Sequence, residues 1–306
     1  MSNREAMCPV WHVRPTVQPV WEAQGMTVLI AGCGDLGTQA GLYFAEAGQR
    51  VVGWRRSADK LPARIEGTSV DLTGKLPAIP ADTDVVVIAL TADGRTEAAY
   101  RATYYEGTAN LLGALARDGV EPRRIIFVSS TAVYGNDDGG WIGESTPPAP
   151  STATGTVLRE TEELLTERAP QSVLLRLSGI YGPGRTRLID QVRNGTAHAG
   201  GAPHWTNRIH RDDAAAAIVH LAGLEAPATA YLGTDQEPAL LAEVRQFIAE
   251  ELGLPVPPIE APTEEREVTG KRCSNVLLTS TGFTFTYPTY REGYRAVLKG
   301  VGVRHL

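Results

Sequence analysis

One stretch constrains this chain more than any other: Thr27-Val-Leu-Ile-Ala-Gly-Cys-Gly-Asp-Leu-Gly-Thr-Gln-Ala-Gly-Leu-Tyr-Phe-Ala-Glu-Ala-Gly48. It opens with an apolar run that reads as a buried strand. Gly32, Gly34 and Gly37 follow in G-x-G-x-x-G spacing, and a helical pattern then places Leu36, Ala40, Tyr43, Phe44 and Ala47 on one face, with Gly48 set to stop it. Strand, glycine turn and helix in this order give the motif its meaning. Gly32 permits the sharp turn, Gly34 lets a pyrophosphate approach the backbone, and Gly37 lets helix and strand pack closely. The first helical N–H groups, at Asp35 and Leu36, face the phosphates with the positive end of the helix dipole. The stretch therefore predicts a dinucleotide site at the first crossover of an alternating α/β chain.

Further along, Gln49 to Trp54 reads as a second strand. NAD-preferring sites carry an acid at its end, to hold the ribose 2′-hydroxyl. This chain has Arg55, Arg56 and Ser57 there, which suit a 2′-phosphate. NADP is the expected cofactor, with NAD as the alternative; the competing reading is a solvated basic loop with Asp59 as a ribose partner. Thr68 to Leu72 reads as a short strand ending at Asp71, which is placed to meet an adenine or simply to cap a turn. Asp84 to Thr91 is a fully buried parallel strand by its β-branched run, so Leu90 and Thr91 at its end should lie under the cofactor. A long helix is expected over 96–118. Arg124 to Thr131 is the next buried strand, ending in the hydroxyls Ser129, Ser130 and Thr131, with Tyr134 close behind. The polar, Gly- and Pro-rich segment from 136 to 151 has the character of a substrate lid. A helix over 158–168 and a strand over 172–177 complete the regular pattern. Beyond them come helices over 214–224, 238–252 and 290–298, a short strand near 230–232 and a Pro-rich linker over 255–262.

The chain has 306 residues with 42% hydrophobic content, enough for one large domain or two smaller ones. A net charge of −6 argues against nucleic acid as a partner. The longest apolar run, Val85 to Leu90, is too short to span a bilayer, so no membrane association is expected. Cys8, Cys33 and Cys273 are odd in number and far apart, which suggests neither a disulfide framework nor a metal cluster and fits a cytoplasmic setting. Residues 1–25, broken by Pro9, Pro15 and Pro19, read as a loose extension, with Met26 as a candidate translation start.

Four stretches taken together resemble the extended short-chain dehydrogenases/reductases, the NAD-dependent epimerase/dehydratase group. They are Gly32-x-Gly34-x-x-Gly37, Val128-Ser-Ser-Thr-Ala-Val-Tyr-Gly135, Leu175-Arg-Leu-Ser-Gly-Ile-Tyr-Gly-Pro-Gly-Arg185 and Arg208-Ile-His-Arg-Asp-Asp213. The resemblance implies an α/β fold: a Rossmann-like doubly wound parallel sheet of about seven strands over 26–180, and a smaller C-terminal substrate lobe over 181–306, interleaved with it. It also implies a Tyr-x-x-x-Lys pair on the helix after the lid. Aligned on the family's Pro, Gly and downstream Glu, those places hold Thr154 and Leu158, and no Tyr or Lys occurs between Ser151 and Pro170. A threonine hydroxyl is too weak an acid to deliver a proton to a reduced carbonyl.

Candidates to replace the pair are Tyr134 as acid, with packing as its competing role, and Ser130 and Thr131 to orient a substrate oxygen. Tyr181 is expected to contact the cofactor, His210 to make a structural bond, and Asp212 and Asp213 to cap a helix. Arg185 and Arg272 would hold an anionic substrate or bridge the lobes. The expected function is hydride transfer on a small polar metabolite with a non-standard proton donor; the alternative is a non-catalytic NADP-binding sensor. Monomer and homodimer both remain open, the latter through helices 96–118 and 158–168 with Leu111, Leu112 and Leu115 as candidate contacts.

Overall fold

The computed structural model describes residues 25–197, 203–256 and 267–305. The expected N-terminal extension and most of the Pro-rich linker lie outside the described residues. Seven parallel strands form the central sheet: β1 (Thr27–Ala31), β2 (Arg50–Arg55), β3 (Glu66–Ser69), β4 (Thr83–Ile88), β5 (Arg124–Ser130), β6 (Ser172–Leu177) and β7 (Ala230–Gly233), in the order β7-β6-β5-β4-β1-β2-β3. The order reverses between β1 and β4, and the C-terminal edge of such a reversal is where open α/β sheets leave a crevice.

Helices cover both faces, which is why the inner strands carry continuous apolar runs, such as Val28–Ala31 and Val85–Ile88, rather than alternating. Along β1, Val28 and Ile30 face one layer and Leu29 and Ala31 the other. The first layer holds α1 (Asp35–Glu46) and the alanine-rich helix α4 (Arg211–Gly223), packed side by side. The second holds α2 (Gly107–Asp118) and α3 (Ala153–Arg168). Leu111, Leu112 and Leu115 are buried there in the chain's own core, so they present no free surface for a homodimer. The helix expected over 96–118 is not uniform: Glu97–Tyr100 leads into π-helical turns at Arg101–Glu106 before α2 begins. Such turns break the regular ladder and often accompany a functional site.

A third, smaller core gathers Ile189, Val244, Phe247, Ile248, Tyr290 and Tyr294 from the helices Arg187–Arg193, α5 (Leu241–Leu252) and α6 (Tyr290–Leu298). This lobe carries a three-stranded sheet of Ala239–Leu240, His204–Thr206 and Thr269–Gly270. The chain crosses between the two units more than once. β7 completes the main sheet from beyond residue 181, while Arg272–Cys273 pairs with Trp141–Ile142 of the lid segment.

Candidate functional site

The glycine turn is built by contacts that only glycine allows. Gly32 has φ +83°, and a Cβ there would lie 2.6 Å from Ala89 O. A Cβ at Gly37 would lie 2.9 Å from Gly32 O and 3.1 Å from the Ile30 side chain, so its absence seats α1 on β1. At Gly34 a Cβ would meet nothing closer than 4.0 Å, which leaves open space above the backbone. Gly32 N and Cys33 N both donate to Trp54 O, at 3.0 and 2.8 Å, and tie the turn to the end of β2. Cys33 is fully buried and burial pushes its thiol up to about 11, which makes it a packing residue.

From this turn a cavity of about 410 Å³ runs along the C-terminal ends of β1, β2 and β4. Gly32 and Gly34 lie at one part of its wall, Arg55, Arg56 and Ser57 at another, with Asp71, Leu72, Leu90 and Thr91 between. β3 ends at Ser69, two residues before Asp71. The Asp71 carboxylate accepts from Thr73 N at 2.9 Å and Thr73 Oγ1 at 2.7 Å, so it caps the turn at the cavity's edge. The Arg56 guanidinium reaches across to Asp93, 2.5 and 2.7 Å to its two oxygens, with both side chains largely exposed. Ala102 and Thr103 of the π-helical segment complete the wall, and Tyr104 Oη donates to Leu90 O at 3.2 Å. Asp93, Ala102 and Thr103 carry no local sequence signal and were not foreseen.

Four of the expected cofactor residues do not line this cavity. Leu36 and Gly37, in the first turn of α1, are buried against the sheet and do not line the cavity. The Asp35 carboxylate turns away into a knot of internal bonds. It accepts from Arg185 Nε at 2.9 Å, Arg211 Nη1 at 2.8 Å and His305 N at 3.1 Å. Burial acts to raise this carboxyl, but Arg185 and Arg211 outweigh it and hold it below the ordinary aspartate range. His305 also bonds Gln39 through its ring, and Val303 O accepts from Arg211 Nη2 at 2.8 Å, so the C-terminal segment lies directly on the start of α1. Arg185 thus bridges elements rather than facing an open site.

Tyr181 departs furthest from expectation. Its ring stacks on Tyr294 at 4.5 Å and meets His210 edge-on at 5.4 Å, and it lines neither cavity. The three-residue strand Gly179–Tyr181 pairs with Arg208–His210, which turns this side chain into the small core. His210 Nδ1 accepts from Asp212 N, and burial pushes its imidazole down to about 4, so it stays neutral. Asp213 accepts from Thr286 N and Tyr287 N at 2.7 and 2.9 Å, a structural clamp.

A second cavity of about 330 Å³ opens beyond β5. Thr131, Tyr134, Asn136 and Asp137 form the side nearer the main sheet, and His204, Trp205 and Lys271 come from the small lobe. Ser130 does not line it; its Oγ accepts from Ala132 N at 3.1 Å and holds the turn. Tyr134 borders the cavity, but its hydroxyl is committed. It accepts from Arg176 Nη1 at 2.6 Å, and Arg176 donates to both oxygens of Glu162, at 2.9 and 2.6 Å. Ser129 Oγ also donates to Glu162, at 2.7 Å. Tyr134, Arg176 and Glu162 are all buried, and burial raises the Tyr134 hydroxyl above its ordinary range despite Arg176. The packing role therefore describes Tyr134, not the role of an acid poised over a substrate.

In α3 a Cβ at Gly155 would lie 2.6 Å from Ala132 O, so the helix packs closely on the turn after β5. Thr152 caps the helix by accepting from Gly155 N, Thr154 shares a 3.4 Å contact with Thr152, and Leu158 is buried in the core. No ionisable group stands in those places. Arg272 is stacked between the rings of Trp141 and Trp205, 5.1 and 5.0 Å from their centroids, and Nε donates to Gly139 O. It joins the lid to the small lobe.

These features define a doubly wound nucleotide-binding protein with a second cavity capped by a C-terminal lobe. A model of the NAD dependent epimerase/dehydratase family matches residues 28–231, and the chain belongs to that family. It is similar to Protein YeeZ of Escherichia coli (strain K12), 30% identical over 279 residues that cover 85% of this chain and 96% of the relative. A solved structure from Methylobacillus flagellatus carrying the same family's name is 34% identical, covers 90% of this chain and 98% of its own, and superposes with a TM-score of 0.74. The UDP-glucuronic acid 4-epimerase of Bacillus cereus, solved in complex with NAD, shares the fold at 18% identity, TM-score 0.72, covering 90% and 96% of the two chains. Among the described residues no helix is long and apolar enough to cross a membrane, and no group of acidic, His or Cys side chains could hold a metal ion.

Proposed function

We propose that the chain binds a nicotinamide dinucleotide in the first cavity, prefers NADP to NAD, and uses it in epimerase/dehydratase-type hydride chemistry on a small polar metabolite. The observation that carries this reading is one continuous cavity with the open backbone of Gly34 in one wall and Arg55, Arg56 and Ser57 in another. The residues fit the group. The pyrophosphate takes the free space over Gly34 and the unpaired N–H groups at the start of α1. Asp71, Leu72 and Leu90 flank the adenosine, and Arg55 and Arg56 face the 2′-phosphate. When bound, the dinucleotide supplies a two-electron donor or acceptor at its nicotinamide ring. The fold relative solved with NAD supports the choice of cofactor class.

In this chemistry Thr131 orients a substrate oxygen from the end of β5, and the small lobe and lid exclude water from the second cavity. Arg56 has its charge held by Asp93 across the first cavity, and a phosphate dianion competes for that guanidinium because the exposed pair is weakly bound. Titrating NADPH and NADH against the protein by nicotinamide fluorescence tests the reading. Arg55→Ala/Arg56→Ala should weaken NADPH on the order of tenfold or more while leaving NADH within about twofold, as expected for lost charged hydrogen bonds. Equal losses for both would return the pair to a solvated loop.

A second reading, a cofactor-binding sensor without turnover, draws on Thr154 and Leu158 in place of the acid and its lysine. It requires a second cavity with no proton donor.

A further inference from the structure

The second cavity does contain a group able to carry a proton. The chain has four lysines among 29 basic residues, so arginine is its usual cation. Lys60 ends a short 3-10 turn and Lys75 lies in a loop, both exposed, and Lys299 follows the last helix. Lys271, by contrast, lines the second cavity. Where arginine serves elsewhere, lysine brings a cation that can release its proton.

The segment that carries it is fixed on both sides. Gly270 has φ +78°, and a Cβ there would lie 2.2 Å from Trp205 O, so the strand Thr269–Gly270 sits against His204–Thr206 at a spacing only glycine allows. Lys271 O accepts from Asn207 Nδ2 at 2.8 Å, and Arg272 N donates to Gly140 O at 2.8 Å. The half-buried Lys271 side chain crosses to the other wall, where Nζ donates to Tyr134 O. No carboxylate pairs with it among the described residues. An ammonium has three donors, and one is used. The titratable groups around it are Asp137 from the lid, His204 from the small sheet and the buried Cys273 thiol on its own segment. Burial lowers the Lys271 ammonium below its ordinary range, against the pull of Cys273 and Asp137.

From this placement we infer that Lys271, delivered by the C-terminal lobe, is the proton donor of the second cavity and hydrogen-bonds the substrate's carbonyl oxygen. The inference rests on the function proposed above. Reduction of a carbonyl adds a hydride at carbon, supplied by the dinucleotide, and one proton at oxygen. Lys271 Nζ gives that proton, the C=O π pair becomes the new O–H bond, and the neutral amine regains a proton from water. Oxidation of an alcohol runs the same transfers backwards.

A substrate is not needed to test it. Reductive ¹³C-methylation of the full chain leaves four lysine signals, and the one missing from Lys271→Arg identifies residue 271. Its titration midpoint should fall below the ordinary lysine range. It should fall further with NADP⁺ bound than with NADPH bound, because only the oxidised ring is positive. Lys271→Met should bind NADPH as the parent does. A Lys271 signal that titrates within the ordinary lysine range, or ignores the redox state of a bound dinucleotide, overturns the inference. Failure of the parent chain to bind NADPH at all would instead overturn the proposed function.

Discussion

A methyl group has opposite consequences at two glycines of one turn. At Gly34 it fills open space, so Gly34→Ala should leave the urea midpoint nearly unchanged and lower NADPH affinity. At Gly32 it strikes Ala89 O and also demands a left-handed backbone. Gly32→Ala should therefore destabilise the fold by about 1–3 kcal/mol, read by urea unfolding. This contrast was legible in the sequence because spacing within a strand–turn–helix is a local property. Lys271 was not. Its contact with Tyr134 spans 137 residues, and it depends on how the small lobe docks on the lid. The same limit explains Tyr181 and Asp35, whose partners Tyr294, Arg185 and Arg211 come from distant segments. Tyr134 was legible as a choice between two roles, and only the buried Arg176 decides it.

Helix α3 illustrates how one element ties two strands of the sheet together through a single buried side chain. Its first turn packs Gly155 on the turn that follows β5, and one turn beyond Leu158 it sends Glu162 into the core. Glu162 is fully buried and holds Arg176 of β6, Ser129 of β5 and, through Arg176, Tyr134. Removing one member of such a pair leaves a charge buried without compensation. Glu162→Ala should cost about 3–5 kcal/mol in chemical denaturation, and more than Tyr134→Phe, which removes one hydrogen bond. The strands themselves were readable from their apolar runs. The π-helical turns before α2 were not, since Arg101–Glu106 carries the composition of an ordinary helix.

At the scale of the whole molecule the two units meet along a polar seam. Asp235 follows β7, donates its N–H to Arg208 O at 2.7 Å, and accepts from Glu237 N with one carboxyl oxygen. Burial pushes its carboxyl up to about 8. The folded chain thus holds a proton that the unfolded chain releases near its ordinary value, so stability falls as pH rises from about 4 towards 8 and levels off above that. Asp235→Asn removes the titration. Its thermal midpoint should exceed the parent's by a margin that grows between pH 5 and pH 8, and a margin independent of pH would contradict this. The sheet and its reversal point were readable ahead of the structure. The seam was not, because it joins Arg208 to residues that follow β7, a pairing with no local signal.

The resting place of Val303 and His305 carries a practical corollary for whoever makes this protein. A tag that displaces this segment removes the His305 N–H bond to Asp35 and the Arg211 bond to Val303 O at the start of α1. Such a tag is therefore a perturbation of the packing against α1, and stability is better compared on protein tagged elsewhere.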